Sequence, residues 1–225
     1  MKILNCLALI GLTILTCGAV EAQAPASVPV QDEPYHRTVL RNTQVMVLRI
    51  QIPAGANSLM HTHENDAVHI TLQGSDIRET TPSGWWASNH AASPDGLTYF
   101  SALRGKPYSH QIRNTGLRET HIIAVEILGN ALSNPLELNA LPGAKQISAN
   151  LRSRVERLES SSSVVVPPSP ANAVLVSLRA GSLSGLESVS AMSAGSVYWI
   201  PAGTAVHAQA VSGGSDIDLI YVRLR

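Results

Sequence analysis

The sequence predicts an all-β protein of sandwich or barrel type, and three observations carry that expectation. Short runs rich in Val, Ile and Leu recur at residues 45–52, 67–72, 97–103 and 121–128. Turn signals separate them: Pro53-Ala54-Gly55, Gly74-Ser75, Pro94-Asp95-Gly96 and Asn114-Thr115-Gly116. Strands of about six residues punctuated in this way belong to sheets that close or stack. The composition agrees, because 44% hydrophobic and 14% charged residues across 225 positions provide a core and argue against disorder or a long coiled coil.

The 16 basic side chains are balanced by 16 acidic ones. No cationic surface of the kind selected by a phosphate backbone or an anionic bilayer is expected, so nucleic acid is excluded as a partner.

Taken in order, the chain opens with Lys2, an apolar run over residues 3–15, and small residues at Val20-Glu21-Ala22 and Ala22-Gln23-Ala24. This reads as a signal peptide over residues 1–22, with cleavage after Ala22, since the alternative would leave Pro25 first. The run is shorter than the roughly 20 residues of a spanning helix. A periplasmic or secreted protein with no integral membrane span after cleavage is expected. Cys6 and Cys17 both fall in this segment, so the mature chain has no thiol chemistry. A lipid anchor at Cys17 is the alternative, disfavoured because Ile14-Leu15-Thr16 lacks a small residue before the cysteine. Residues 23–35 form a Pro-containing lead, and residues 36–129 hold the first strand region. Residues 130–173 read as a connector: Ile147, Leu151, Val155 and Leu158 recur at helical spacing, predicting one helix between Gly143 and Ser160. A Ser- and Pro-rich linker follows. Strand character resumes over residues 174–225.

The two strand regions are related. Residues 110–125 align without a gap on residues 207–222, pairing His110 with His207, Gly116 with Gly213, Glu119 with Asp216 and Ile123 with Ile220. Gly96 matches Gly195, and Ala54-Gly55 matches Ala180-Gly181. On that alignment the second copy is a truncated repeat lacking the segment that holds His61, His63 and His69.

Histidines carry the chemical signal. His61 and His63 sit two apart, which on a strand puts both rings on one face. His110 follows a turn containing Pro107 and can join them. Three neutral imidazoles with open positions suit a divalent transition metal, Fe, Mn, Ni, Zn or Cu. His36, His90 and His121 have no partner pattern and read as surface or hairpin residues. Trp85-Trp86 reads as a cover over a barrel mouth or a partly buried anchor.

These residues resemble the cupin superfamily. Gly55, His61, His63 and Gly74 stand in the register of its first motif, and Pro107, His110 and Asn114 in that of its second. The first motif's Glu is absent, with Ala67 in its place. The resemblance implies a jelly-roll barrel over residues 36–129 with a second, truncated cupin-like repeat over residues 174–225. It also implies metal ligation by His61, His63 and His110. Asp66, one residue from the vacant position, reads as a substitute oxygen ligand or a solvated turn acid, and His69 as a barrel-lining ring or a fourth ligand. Either is a candidate proton carrier in catalysis. His207, without a His-x-His partner, reads as a packed or hydrogen-bonded ring.

Three functions remain open at this point. The first is a metal-dependent oxygenase, isomerase or lyase acting on a small molecule. The second is a non-catalytic module holding a small ligand or metal. The third is a structural role, with pairing into a homodimer. No nucleotide-binding Gly loop and no Gly-x-Ser-x-Gly elbow is present.

Overall fold

The computed structural model describes residues 26–83, 87–129, 135–211 and 216–225. The expected signal peptide with Cys6 and Cys17, the Trp85-Trp86 pair and Gly213 lie outside the described residues. No helix among the described residues is long and apolar enough to cross a membrane.

The first half contributes β1 (Val28–Pro29), β2 (His36–Arg41), β3 (Val45–Ile52), β4 (His61–His63), β5 (Asp66–Gln73), β6 (Ile77–Thr80), β7 (Ala87–His90), β8 (Thr98–Ser101), β9 (Tyr108–Asn114) and β10 (Thr120–Ile127). They form two five-stranded sheets in the orders β1-β4-β9-β6-β7 and β2-β3-β10-β5-β8. The second half contributes β11 (Lys145–Ala149), β12 (Ser153–Ser160), β13 (Ser163–Val166), β14 (Ala173–Ser177), β15 (Gly181–Ser184), β16 (Ser190–Met192), β17 (Val197–Ile200), β18 (Val206–Ala210) and β19 (Ile217–Leu224). Its sheets run β11-β12-β19-β14-β17 and β13-β18-β15-β16. Strand for strand, these orders repeat those of the first half apart from β1. The all-β, two-sheet jelly-roll architecture is therefore present twice.

Two expectations are corrected here. The second repeat is not truncated. Its first three strands come from residues 145–166, within the stretch read as a connector. The match of Gly55 to Gly181 was misplaced, since Gly55 precedes β4 whereas Gly181 opens β15. The match of Gly96 to Gly195 stands: both have positive φ, 81° and 82°, and each precedes an equivalent strand, β8 or β17. Nor is there a helix between Gly143 and Ser160. β11 and β12 form an antiparallel hairpin, with Leu151 exposed at its turn. The helical spacing arose because β12 is buried on both faces. Val155 enters one core and Leu158 another, while the charges between them are paired: Glu156 with Arg223 at 2.6 Å and Arg157 with Asp218 at 2.6 Å. A strand flanked on both faces loses the period-2 signature.

β3 shows how the layers are built. Val45 and Val47 point into a core shared with Val155, Val174, Val176, Ile220 and Val222, where a sheet from each barrel packs face to face. Met46, Leu48, Ile50 and Ile52 point the other way, into the first barrel. The second barrel's interior is filled by Leu175, Leu183, Ile200, Leu219 and Tyr221. The first barrel is not filled, and its cavity holds the histidines.

Candidate metal centre

The motif glycines have local causes. Gly55 has φ +78° in the turn leading toward β4, a conformation that L side chains resist. A Cβ on Gly74 would lie 1.9 Å from the Ser93 carbonyl oxygen, so only glycine permits that approach. Asn114 is fully buried and ties strand ends together: its amide donates to the carbonyls of Ile52 (2.9 Å) and Arg118 (2.7 Å), and its oxygen accepts from the Ser75 hydroxyl at 2.8 Å.

β4 pairs antiparallel with β9 so that His61 stands opposite His110. The ring centroids are 4.5 Å apart, and His63 lies 5.2 Å from each. The structure thus brings the three expected rings together. It also adds one that sequence reasoning placed at the surface. His36, at the start of β2, is 4% exposed and its ring is 4.6 Å from that of His61. One donor atom from each of His36, His61 and His63 lies within 4.8 Å of the others, a geometry able to hold an ion. The available signal was Glu33, three residues before His36, which now accepts a hydrogen bond from its ring.

Each ring is fixed through Nδ1. His36 is bonded to Glu33, His61 to the Leu59 carbonyl at 2.9 Å, His63 to Glu126 at 3.0 Å and His110 to Glu79 at 2.7 Å. This leaves Nε2 as the outward-facing base, and the Nε2 atoms of His61 and His110 are buried with no hydrogen-bond partner. Metal-ligating histidines carry this pattern, with carboxylates and carbonyls behind them setting tautomer and basicity.

Burial disfavours the charged form of two of these rings, His61 and His110. Burial, followed by the neighbouring His110, pushes His61 down to about 2. Burial also lowers His110, against the opposing pull of Glu79. Glu79 sits at about 2 because hydrogen bonds from His110 and Tyr108 outweigh the burial that would raise it. The Glu33 carboxyl is likewise lowered: burial pulls upward, but His36 and the backbone N–H groups of Leu59 and Tyr35 prevail. Unpartnered, unprotonated imidazole nitrogens facing one another fit a transition metal, and imidazole suits Zn, Cu, Fe and Ni alike.

The other two candidates are placed differently. Asp66 is 6% exposed and turned from the rings. One oxygen accepts from the N–H groups of Leu103 (2.9 Å) and Arg104 (3.0 Å), and the other pairs with Arg152 of the second half at 2.9 Å. It is absent from the cavity lining. The expected role as ligand or proton carrier is replaced by a structural one, because the carboxylate is held by Leu103, Arg104 and Arg152, away from the cavity. His69 lines the cavity, 6.0 Å from His63 and stacked on Tyr99 at 4.9 Å with planes 14° apart. Burial, then His63, lowers it to about 3. His207 is exposed, not packed. Its register partner on β13 is Val165, where the first barrel has His61.

The cavity measures about 390 Å³, in the range of small-molecule sites. Tyr108, at its edge, donates to Glu79 at 2.5 Å. Burial and that carboxylate raise its hydroxyl pKa.

No family model and no curated protein matches the chain. Solved structures do resemble it. A Cupin 2 conserved barrel domain protein from Leptotrichia buccalis aligns over 84% of this chain and 88% of its own, with 9% identity and a TM-score of 0.52. Procruciferin, the 11S globulin of Brassica napus, aligns over 80% and 75%, with 11% identity and a TM-score of 0.56. Salicylate 1,2-dioxygenase from Pseudaminobacter salicylatoxidans aligns over 80% and 71%, with 10% identity and a TM-score of 0.51. At these identities the likeness establishes the fold: the chain has the cupin jelly roll.

Proposed function

We propose that this is a divalent-metal enzyme acting on a small organic molecule, of oxygenase, isomerase or lyase type, exported by its first 22 residues. One observation carries the reading. His36, His61 and His63, each anchored at Nδ1, bring donor nitrogens within 4.8 Å of one another in the first barrel's cavity, and the His110 ring, anchored on Glu79, lies 4.5 Å from that of His61. A salicylate 1,2-dioxygenase is among the proteins of similar fold, and the site itself motivates the assignment.

His36, His61 and His63, with His110 beside them, would hold a divalent transition ion, whose chemistry there would be Lewis-acid polarisation of a substrate oxygen. The chain's own residues do the rest. Glu33, Glu79 and Glu126 hold the rings and place negative charge behind them. The aliphatic walls exclude water. Tyr108, raised in pKa and held on Glu79, keeps its proton at neutral pH and presents it at the cavity edge. Glu79 bridges this hydroxyl and His110, so proton position at the mouth is coupled to one of the rings.

The test is turnover. Protein loaded in turn with Fe(II), Mn(II), Ni(II), Zn(II) or Cu(II) is screened against phenolic, carbonyl and sugar compounds, with and without O2. Metal-dependent conversion, abolished in His63→Ala, is expected. Tight ligand retention with no product under any loading would contradict the enzyme reading and make the site a binding module.

A further inference from the structure

We infer that the cavity of the metal-free chain selects an uncharged, largely apolar molecule of one or two rings. One oxygen of this ligand faces the histidines, and a second polar atom meets Thr120 at the opposite end. The inference rests on the reading of this cavity as the substrate chamber and names what that chamber takes.

The walls between the two ends are Ile50, Ile52, Ile77, Leu103, Ile112 and Ile122. Among the described residues no Lys or Arg lines the cavity. Among the described lining residues the Glu79 side chain is the only carboxylate, and it is already engaged by Tyr108, His110 and His90. An anionic ligand would bring a charge into low dielectric beside a carboxylate, with no cationic side chain to receive it. A sugar would bury hydroxyls on all sides, more than Tyr99, Ser101 and Tyr108 can receive, and would set the rest against aliphatic walls. An apolar body loses no such partners and gains in proportion to the surface it removes from water. Size agrees: a cavity of about 150 Å³ holds benzene, so 390 Å³ admits a larger body. The flat face of the stacked His69–Tyr99 pair suits a planar one.

Thr120 supplies the far anchor. It is 4% exposed, lines the cavity, and its hydroxyl oxygen is buried without a hydrogen-bond partner. Such a group is costly to leave unsatisfied. The strand register sets the span. His36 stands opposite Ile50 and Ile50 opposite Ile122, while two residues further along β3 Ile52 stands opposite Thr120. Two residues of strand cover about 7 Å, comparable to the length of a fused bicyclic frame.

The experiment compares naphthalene-2,6-diol, 6-hydroxy-2-naphthoate, naphthalene and glucose by ligand-observed NMR on the full chain in metal-free form. The result is then independent of whether an ion binds, and failure of the metal reading leaves it standing. The diol, with an oxygen at each end of its frame, is expected to bind at least tenfold more tightly than 6-hydroxy-2-naphthoate or glucose. Thr120→Val, which keeps the side-chain shape, should weaken the diol about fivefold and leave naphthalene unchanged. Leu103→Lys, in a loop at the cavity wall, should tighten 6-hydroxy-2-naphthoate at least fivefold and loosen the diol. Equal or tighter binding of 6-hydroxy-2-naphthoate or glucose in the unsubstituted chain would overturn the inference. So would an unaltered ratio of diol to naphthalene affinity in Thr120→Val.

Discussion

His63 on β4 donates its Nδ1 proton to Glu126 on β10 across 3.0 Å, with both side chains sealed from solvent. The other carboxylate oxygen accepts the Asn65 amide at 3.0 Å, so Glu126 stiffens the strand end that carries the ring. Glu126→Gln keeps the shape and removes the charge. Metal affinity should fall by about 10- to 100-fold while the fold is retained, as read by competition against a chromophoric chelator and by circular dichroism. An unchanged affinity would remove Glu126 from the account.

His36 and His69 separate by role. His36→Ala is expected to lower metal occupancy sharply at limiting ion, because its nitrogen belongs to the tightest donor set. His69→Ala should keep the ion, since that ring is held on Tyr99. Metal content after dialysis against a weak chelator distinguishes the two, and the reverse order of loss would exchange their roles.

Asp66→Ala tests the structural reading of that carboxylate. The change removes the carboxylate that pairs with Arg152 and accepts from the N–H groups of Leu103 and Arg104, leaving Arg152 only its bonds to the Ile127 and Gly129 carbonyls. Removing one partner of a buried ion pair costs about 3–5 kcal/mol. Denaturant unfolding should show a loss of that order, with the metal stoichiometry at saturating ion unchanged. Loss of the bound metal without loss of stability would return Asp66 to the ligand set.

These contrasts mark what the sequence made legible. The His-x-His spacing places two rings on one face by strand periodicity alone, and the turn before His110 points it at the same sheet. His36 was invisible because it approaches from another strand, and no local spacing encodes that meeting. Asp66 misled because adjacency to a motif position says nothing of direction: one step along a strand turns a side chain to the opposite face. The 145–160 hairpin was unreadable as strand because Val155 and Leu158 serve different cores. Paired charges inside the sheet, Glu156 with Arg223 and Arg157 with Asp218, imitated the polar face of a helix.

Acid should destabilise the metal-free chain in a defined window. His61 ordinarily titrates at 6.5 and is pushed down to about 2 when folded, by burial and then by His110. The unfolded chain therefore takes up a proton that the folded chain refuses. Stability is full above about pH 6.5 and declines as pH falls toward the folded value. The contribution of this ring is about 1.4 kcal/mol per pH unit. His69, lowered to about 3, adds in the same direction. Unfolding free energies of the chelator-treated protein at pH 7.5, 6 and 5 should fall in that order, and less steeply in His61→Asn. A flat profile would show that the rings are not held neutral.

The central claim is that imidazole nitrogens from several strands share one cation. Elemental analysis of the untagged chain, as purified and after reconstitution, measures this directly. One equivalent of a divalent transition metal, reduced to trace by the paired change His61→Ala and His63→Ala, is the expected result. Less than a tenth of an equivalent of any such metal in the reconstituted, unsubstituted chain would contradict it.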